Sequence, residues 1–156
     1  MKVSERQHLI HAIEAKDYGS AGIDADSINM GLLHRVCFVF TFGALTGNSI
    51  LKFYSGASQG TKTTALAYSY RYAGGDYKAA SADLPGAATA VASTGLTLTA
   101  ATYDHRLVIV EFEGNQMTDA EPWLTAEIDS TASVMTVGAC AIGDPRYAAN
   151  VQPTTI

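Results

Sequence analysis

Charge is scarce in this sequence. Lys, Arg, Asp and Glu make up 16% of its 156 residues, where about a quarter is usual for a globular chain. Basic charge is the scarcer sign: Lys and Arg number 10 against 15 Asp and Glu, for a net charge of −5. No Lys/Arg run or basic stripe is present, which argues against a nucleic-acid groove. Long apolar runs are also missing, and none approaches the ~20 residues of a membrane-spanning helix. The opening MKVSERQHLIHAIEAKDYG carries Glu5, His8, His11 and Glu14 where a leader would be apolar, so it does not read as a secretory signal. Cysteine is limited to Cys37 and Cys140, each in an apolar run, with no CxxC or Cys/His cluster to hold zinc. Two buried free thiols are expected.

What is present is period-two alternation. In HRVCFVFTF, His34, Val36, Phe38, Phe40 and Phe42 fall on one face and Arg35, Cys37, Val39 and Thr41 on the other. β-branched and aromatic residues suit a pleated surface, so the phenylalanine face is the core side, with the run ending at Gly43. ILKFYSG is a short strand. TTALAYSYRY reads as one long strand with Leu66, Tyr68, Tyr70 and Tyr72 on one face. The Ala-, Gly- and Ser-rich stretch 77–93 is a long excursion with at most one short strand. GLTLTA, HRLVIVEFEG and WLTAEIDS alternate again, while SVMTVGACAI is apolar throughout, as for a central strand covered on both faces. HLIHAIEA and DSINM are weaker strand candidates, and Leu9, Ile10 and Ile13 would also fit a helix. Short strands at ~10-residue intervals predict one all-β sandwich or barrel. A chain of this length can bury ~70% of its unfolded surface, so it needs no metal or disulfide staple. Residues 1–16 form an N-terminal arm or edge strand, and 144–156, aperiodic with Pro145 and Pro153, an extended C-terminal arm.

Several constellations fail on spacing. GASQGTKTT lacks the Gly-Lys-Ser/Thr of a phosphate loop and precedes a strand, so it reads as a hairpin loop. His8 and His11 share a face only on a helix, and no third metal ligand stands nearby. Asp24 and Asp26 lack the rest of a calcium loop. Asp119 and Glu121 could pair for glycoside hydrolysis, but their turn beside Pro122 accounts for them. No nucleophile motif and no cofactor motif is found. Trp123 could be a sugar-stacking platform or interface anchor, or cover the end of the sandwich. The three tyrosines suit either the core or a half-wet subunit contact.

DSINM, FGALTGNSILKFYSGASQGTKTTALAYSYRY, LTLTAATYDHRLVIVEFE and PRYAANVQPTTI together resemble a family of capsid decoration, or cement, proteins of tailed bacteriophages, over residues 17–156. The resemblance implies a jelly-roll-like β-sandwich with extended termini that sits outside a shell, bridges capsomers by binding the major capsid protein, and carries no catalytic residue. A low charge density and a neutral Ala/Thr/Gly surface add an expectation of self-association as a dimer or trimer. The candidate interface residues are Tyr68, Tyr70, Tyr72, Trp123, Arg146, Tyr147, Val151 and Ile156. A carbohydrate-binding module or a phage tail or baseplate subunit are the alternatives.

Overall fold

Alternation of bulky apolar and small or polar residues dictates sheets with one wet and one dry face, and two such sheets must close on each other. The computed structural model describes residues 6–74 and 84–147. Its strands are β1 (His8–Asp17), β2 (Ile23–Asp24), β3 (Ile28–Asn29), β4 (Leu33–Thr46), β5 (Asn48–Gly56), β6 (Thr64–Ala65), β7 (Tyr68–Gly74), β8 (Thr89–Val91), β9 (Leu96–Thr99), β10 (Arg106–Glu113), β11 (Trp123–Ser130) and β12 (Val134–Pro145). One sheet has the order β1-β12-β4-β10-β7-β8. The other runs β2-β11-β5-β6, with β3 also on β11 and β9 also on β5. Every pairing is antiparallel.

The chain is therefore an all-β, single-domain sandwich. Take the main strands in chain order, counting β2 with β3 as the second and passing over β6, β7 and β8. The sheets then read first-eighth-third-sixth and second-seventh-fourth-fifth, which is the jelly-roll order. β6, β7 and β8 are an insertion between the fourth and fifth strands; β6 pairs with β5, and β7 and β8 widen the first sheet beyond β10.

All five phenylalanines lie between the sheets: Phe38, Phe40, Phe42, Phe53 and Phe112 are each at most 2% exposed. Phe53 of β5 meets Phe38 and Phe40 of β4 edge-on at 5.3 and 6.1 Å, and Phe112 of β10 at 4.8 Å. Leu124, Ala126 and Ile128, the face expected to be inward on WLTAEIDS, are fully buried.

The structure corrects several expectations. β4 does not end at Gly43 but continues to Thr46. An extra residue there shifts the register between Leu45↔Met135 and Phe42↔Val137. This bulge resets the phase, so that Phe42 and Leu45 both point inward. TTALAYSYRY is not one strand: Thr64–Ala65 pairs with β5 and Tyr68–Gly74 with β10, because the chain crosses between sheets at Leu66 and Ala67. The Leu66 N–H still donates to the Phe53 carbonyl at 2.8 Å, which holds the crossing against β5. The first segment, by contrast, is the edge strand that the sequence offered, with two register shifts against β12. Such bulges blunt an edge.

The turn Ala100–Tyr103, helical and with Tyr103 buried, has no counterpart in the alternation. β12 reaches Pro145, so the start of the expected C-terminal arm belongs to the sheet. Residues 148–156, including Val151 and Ile156, lie outside the described residues.

Candidate interaction surface

The two outer faces of the sandwich differ in chemistry. On the second sheet the outward positions of β5 and β11 carry Lys52, Tyr54, Glu127 and Asp129. The Lys62 ammonium donates to both Asp24 oxygens at 3.0 and 2.9 Å and to Glu127 Oε1 at 3.0 Å. Lys52 lies 3.8 Å from Asp129. Partial burial opposes ionisation of Glu127. The hydrogen bonds from Lys62 and Tyr54 outweigh it and hold this carboxyl below the usual range. Asp24, half of the apparent calcium loop, is thus already paired with a cation. This is a face built for water.

The outer face of the first sheet is almost uncharged. Strand register sets its rows: Leu9, Ile142, Cys37 and Glu111; then His11, Cys140, Val39, Ile109 and Arg71; then Gly138, Thr41, Leu107 and Ala73. Val39, Leu107, Ile109 and Ile142 are only half-buried, Thr41 and Cys140 are exposed, and Leu9 keeps 53% of its surface. Charge stays at the margins, in the Glu14–Lys16 pair of β1 at 3.0 Å, in the Arg35–Asp144 pair at 3.9 Å, in Glu111 and Glu113, and in Arg71, whose guanidinium donates to the Gly86 carbonyl at 2.9 Å. A shallow groove of about 420 Å³ runs along β12, lined by His11, Ala15, Val39, Thr41, Gly43, Thr136, Gly138 and Cys140. Gly138 makes it possible: a Cβ there would stand 2.8 Å from that of Ala15, closer than side chains pack.

This geometry overturns two sequence expectations. β12 is not covered on both faces, since no strand of the described residues packs over its outer side and Cys140 is exposed. Nor are the thiols buried. Phe38, Phe40 and Ala141 take the inward positions, which leaves Cys37 half-exposed and Cys140 exposed on the outer face. Both thiols are free, and Cys37 is placed opposite Ile142, one position along that face from Cys140. Burial and the nearby Glu111 carboxylate push the Cys37 thiol up.

The tyrosine stripe goes to the core. Tyr68 and Tyr70 are 6% and 8% exposed, which withdraws them from any surface contact of the folded chain. The Tyr68 hydroxyl donates to the Leu51 carbonyl at 2.7 Å and accepts the Leu96 N–H at 3.2 Å. The hydroxyls of Tyr70 and Tyr103 bond each other at 2.8 Å. Tyr72 is half-buried, stacked on Tyr70, with the Arg106 guanidinium 5.5 Å above its ring. Trp123 is half-buried at the start of β11, between Asn29 and Gly56 of the neighbouring strands. The adjacent Glu121 accepts a 2.6 Å hydrogen bond from the Ser55 hydroxyl, so the acidic turn is tied to β5.

Arg146 acts within the chain. Its backbone N–H donates to the Leu32 carbonyl and its side-chain Nε to the Leu33 carbonyl, both at 2.9 Å. It pins the end of β12 to the start of β4, and Tyr147 follows, 67% exposed. Beside this point lies a pocket of about 380 Å³ with Ile10, Ile28, Leu32 and Leu33 as its apolar wall and His8, Asp26, Ser27, Asn29 and Gln59 as polar neighbours. Sequence reasoning missed both the neutral face and this pocket. The face was legible in part, because Cys37, Val39, Thr41, Leu107 and Ile109 oppose the core positions on their strands.

Among the described residues, no group of three or more His, Cys, Asp or Glu side chains is placed to hold a metal ion, and no helix is long and apolar enough to cross a membrane. No family model matches the chain, and no curated protein matches it. Two solved structures of infectious bursal disease virus are similar. A chain of the Gx strain structure aligns at 14% identity over 90% of this chain and 42% of its own, with a TM-score of 0.20. A chain of the Gt strain structure aligns at 16% identity over 97% of this chain and 42% of its own, with a TM-score of 0.22. The present chain thus spans about two fifths of the length of those neighbours. Likeness at these TM-scores does not establish a shared fold, and the jelly-roll architecture rests on the strand order alone.

Proposed function

We propose that this chain is a structural, non-catalytic subunit of a virus particle, and more narrowly a decoration protein on the outer surface of a tailed-phage capsid, bound to the major capsid protein across capsomers. The observation that carries the reading is a jelly-roll sandwich with one charged and one neutral outer face. Jelly rolls serve shells because they are rigid slabs with two broad faces, and a slab with chemically distinct faces can turn one to water and the other to a protein. The resemblance of the sequence to phage cement proteins supports the choice of a tailed-phage shell. The net acidic charge suits a position away from packaged nucleic acid. In this reading Val151 and Ile156, which lie outside the described residues, bind a neighbouring subunit, a mode in which main-chain contacts and a few side-chain pockets share the binding. Ordering such an arm costs roughly 1–2 kcal/mol per residue in backbone entropy, so each copy binds weakly and the repeating lattice supplies multivalency.

The test is to delete residues 148–156 and measure both melting temperature and occupancy on undecorated heads. The melting temperature should hold while occupancy falls. Unchanged occupancy removes the arm from the mechanism. Heads no more resistant to heat or chelator with the full chain than without it remove the decoration role itself.

A further inference from the structure

We propose that the neutral outer face of the β1-β12-β4-β10-β7 sheet binds a second copy of this chain, face to face across a two-fold axis, with Val39, Ile109 and Cys140 near its centre. The inference deepens the proposed function by naming the self-contact, but it is measured without any capsid and so stands or falls separately.

The first argument is charge. A chain with net charge −5 repels its own copies over most of its surface. The face on β5 and β11 carries Lys52, Glu127 and Asp129, which a two-fold contact would have to desolvate and pair afresh. The first sheet's outer rows place Cys140, Val39, Ile109, Gly138, Thr41 and Leu107 side by side with no ionised group among them. Two anionic copies can meet there without a like-charge cost, and an isologous contact needs a surface that tolerates itself.

The second argument is area. The four strands β1, β12, β4 and β10 at ~4.8 Å spacing and the ~20 Å from Thr136 to Ile142 give an open face of about 400 Å² per copy, or about 800 Å² for the pair. That falls short of the ~1,000 Å² that a specific interface usually clears, so the dimer is weak and depends on concentration. Sheets stack closely when their facing residues are small. Here Gly138 and Gly43 open the groove of about 420 Å³ into which a partner's Val39 or Ile109 can seat.

The experiment uses the full chain in solution. Sedimentation over a concentration series should show the mass double. Val39→Lys should remain monomeric with an unchanged melting temperature, while Thr97→Lys, on the other sheet's exposed surface, keeps the dimer. On the unaltered chain, maleimide labelling of Cys140, resolved from Cys37 by peptide mass, should slow several-fold as the chain is concentrated. That readout needs no variant to fold. A chain that stays monomeric at the highest concentration overturns the proposal. So does a dimer that survives Val39→Lys with Cys140 still labelled at the monomer's rate.

Discussion

Tyr68 shows how one residue can hold two sheets together. It sits at the start of β7, yet its hydroxyl reaches across to the Leu51 carbonyl of β5 and receives the N–H of Leu96 on β9. Its ring meets Phe53 at 4.9 Å, edge-on. Burial pushes its hydroxyl above the ordinary tyrosine range, which favours the neutral donor. Tyr68→Phe keeps the ring and leaves both a buried carbonyl and an N–H without this partner. The expected loss is about 1–3 kcal/mol, the cost of unsatisfied buried polar groups, with Phe53→Ala as a comparison at about 3–5 kcal/mol from cavity formation. Urea unfolding of both variants measures the difference, and a Tyr68→Phe chain as stable as the parent would show that the hydroxyl's bonds are not missed.

At the scale of elements, turns decide where strands can lie. Gly95 leads into β9 with φ of +95°, and a Cβ there would stand 2.7 Å from the Lys52 side chain and 2.8 Å from both Ile50 and the Leu51 carbonyl. Positive φ and close backbone approach both demand glycine. Gly95→Ala should therefore destabilise by more than ~1 kcal/mol, and hydrogen exchange should show the loss first in β9, which among the described residues pairs with β5 alone. A thermal shift within error of zero would mean that the turn relaxes freely. The same scale explains what the sequence made legible. Phe38, Phe40 and Phe42 announce an inward face because side chains alternate strictly along a strand, and WLTAEIDS does the same. The bulge after Phe42 was hidden, since an inserted residue changes phase without changing composition. The crossing at Leu66 was hidden for a similar reason: both halves of TTALAYSYRY have strand propensity, and only tertiary pairing assigns them to different sheets. The tyrosine stripe was ambiguous because a phenol suits a core with hydrogen-bond partners as well as a wet interface, and those partners, Leu51, Leu96 and Tyr103, come from distant positions. The neutral face was half legible: alternation exposes Val39 and Ile109, but their juxtaposition with Cys140 depends on β12 inserting between β1 and β4.

At the scale of the whole molecule, the jelly-roll order ties the chain's beginning to its end. β12 lies between β1 and β4, so the longest pairings of the first sheet form only when the last strand arrives. β11 likewise needs both β2 and β5 in place. The first sheet draws on strands from His8 to Pro145 and the second on strands from Ile23 to Ser130, and each buries its apolar side against the other. The expected result is one cooperative transition. Trp123, at the start of β11, reports the second sheet, and the Tyr70–Tyr72–Tyr103 cluster reports the far side of the first. Tryptophan fluorescence and near-ultraviolet tyrosine dichroism should give the same urea midpoint, because a single core of this size unfolds as a unit. Refolding should be slow, in the millisecond-to-second range typical of chains dominated by non-local strand pairing. Two separated midpoints, with the tryptophan signal lost while the tyrosine signal persists, would show that the first sheet survives alone. That would contradict the dependence of both sheets on one shared phenylalanine core.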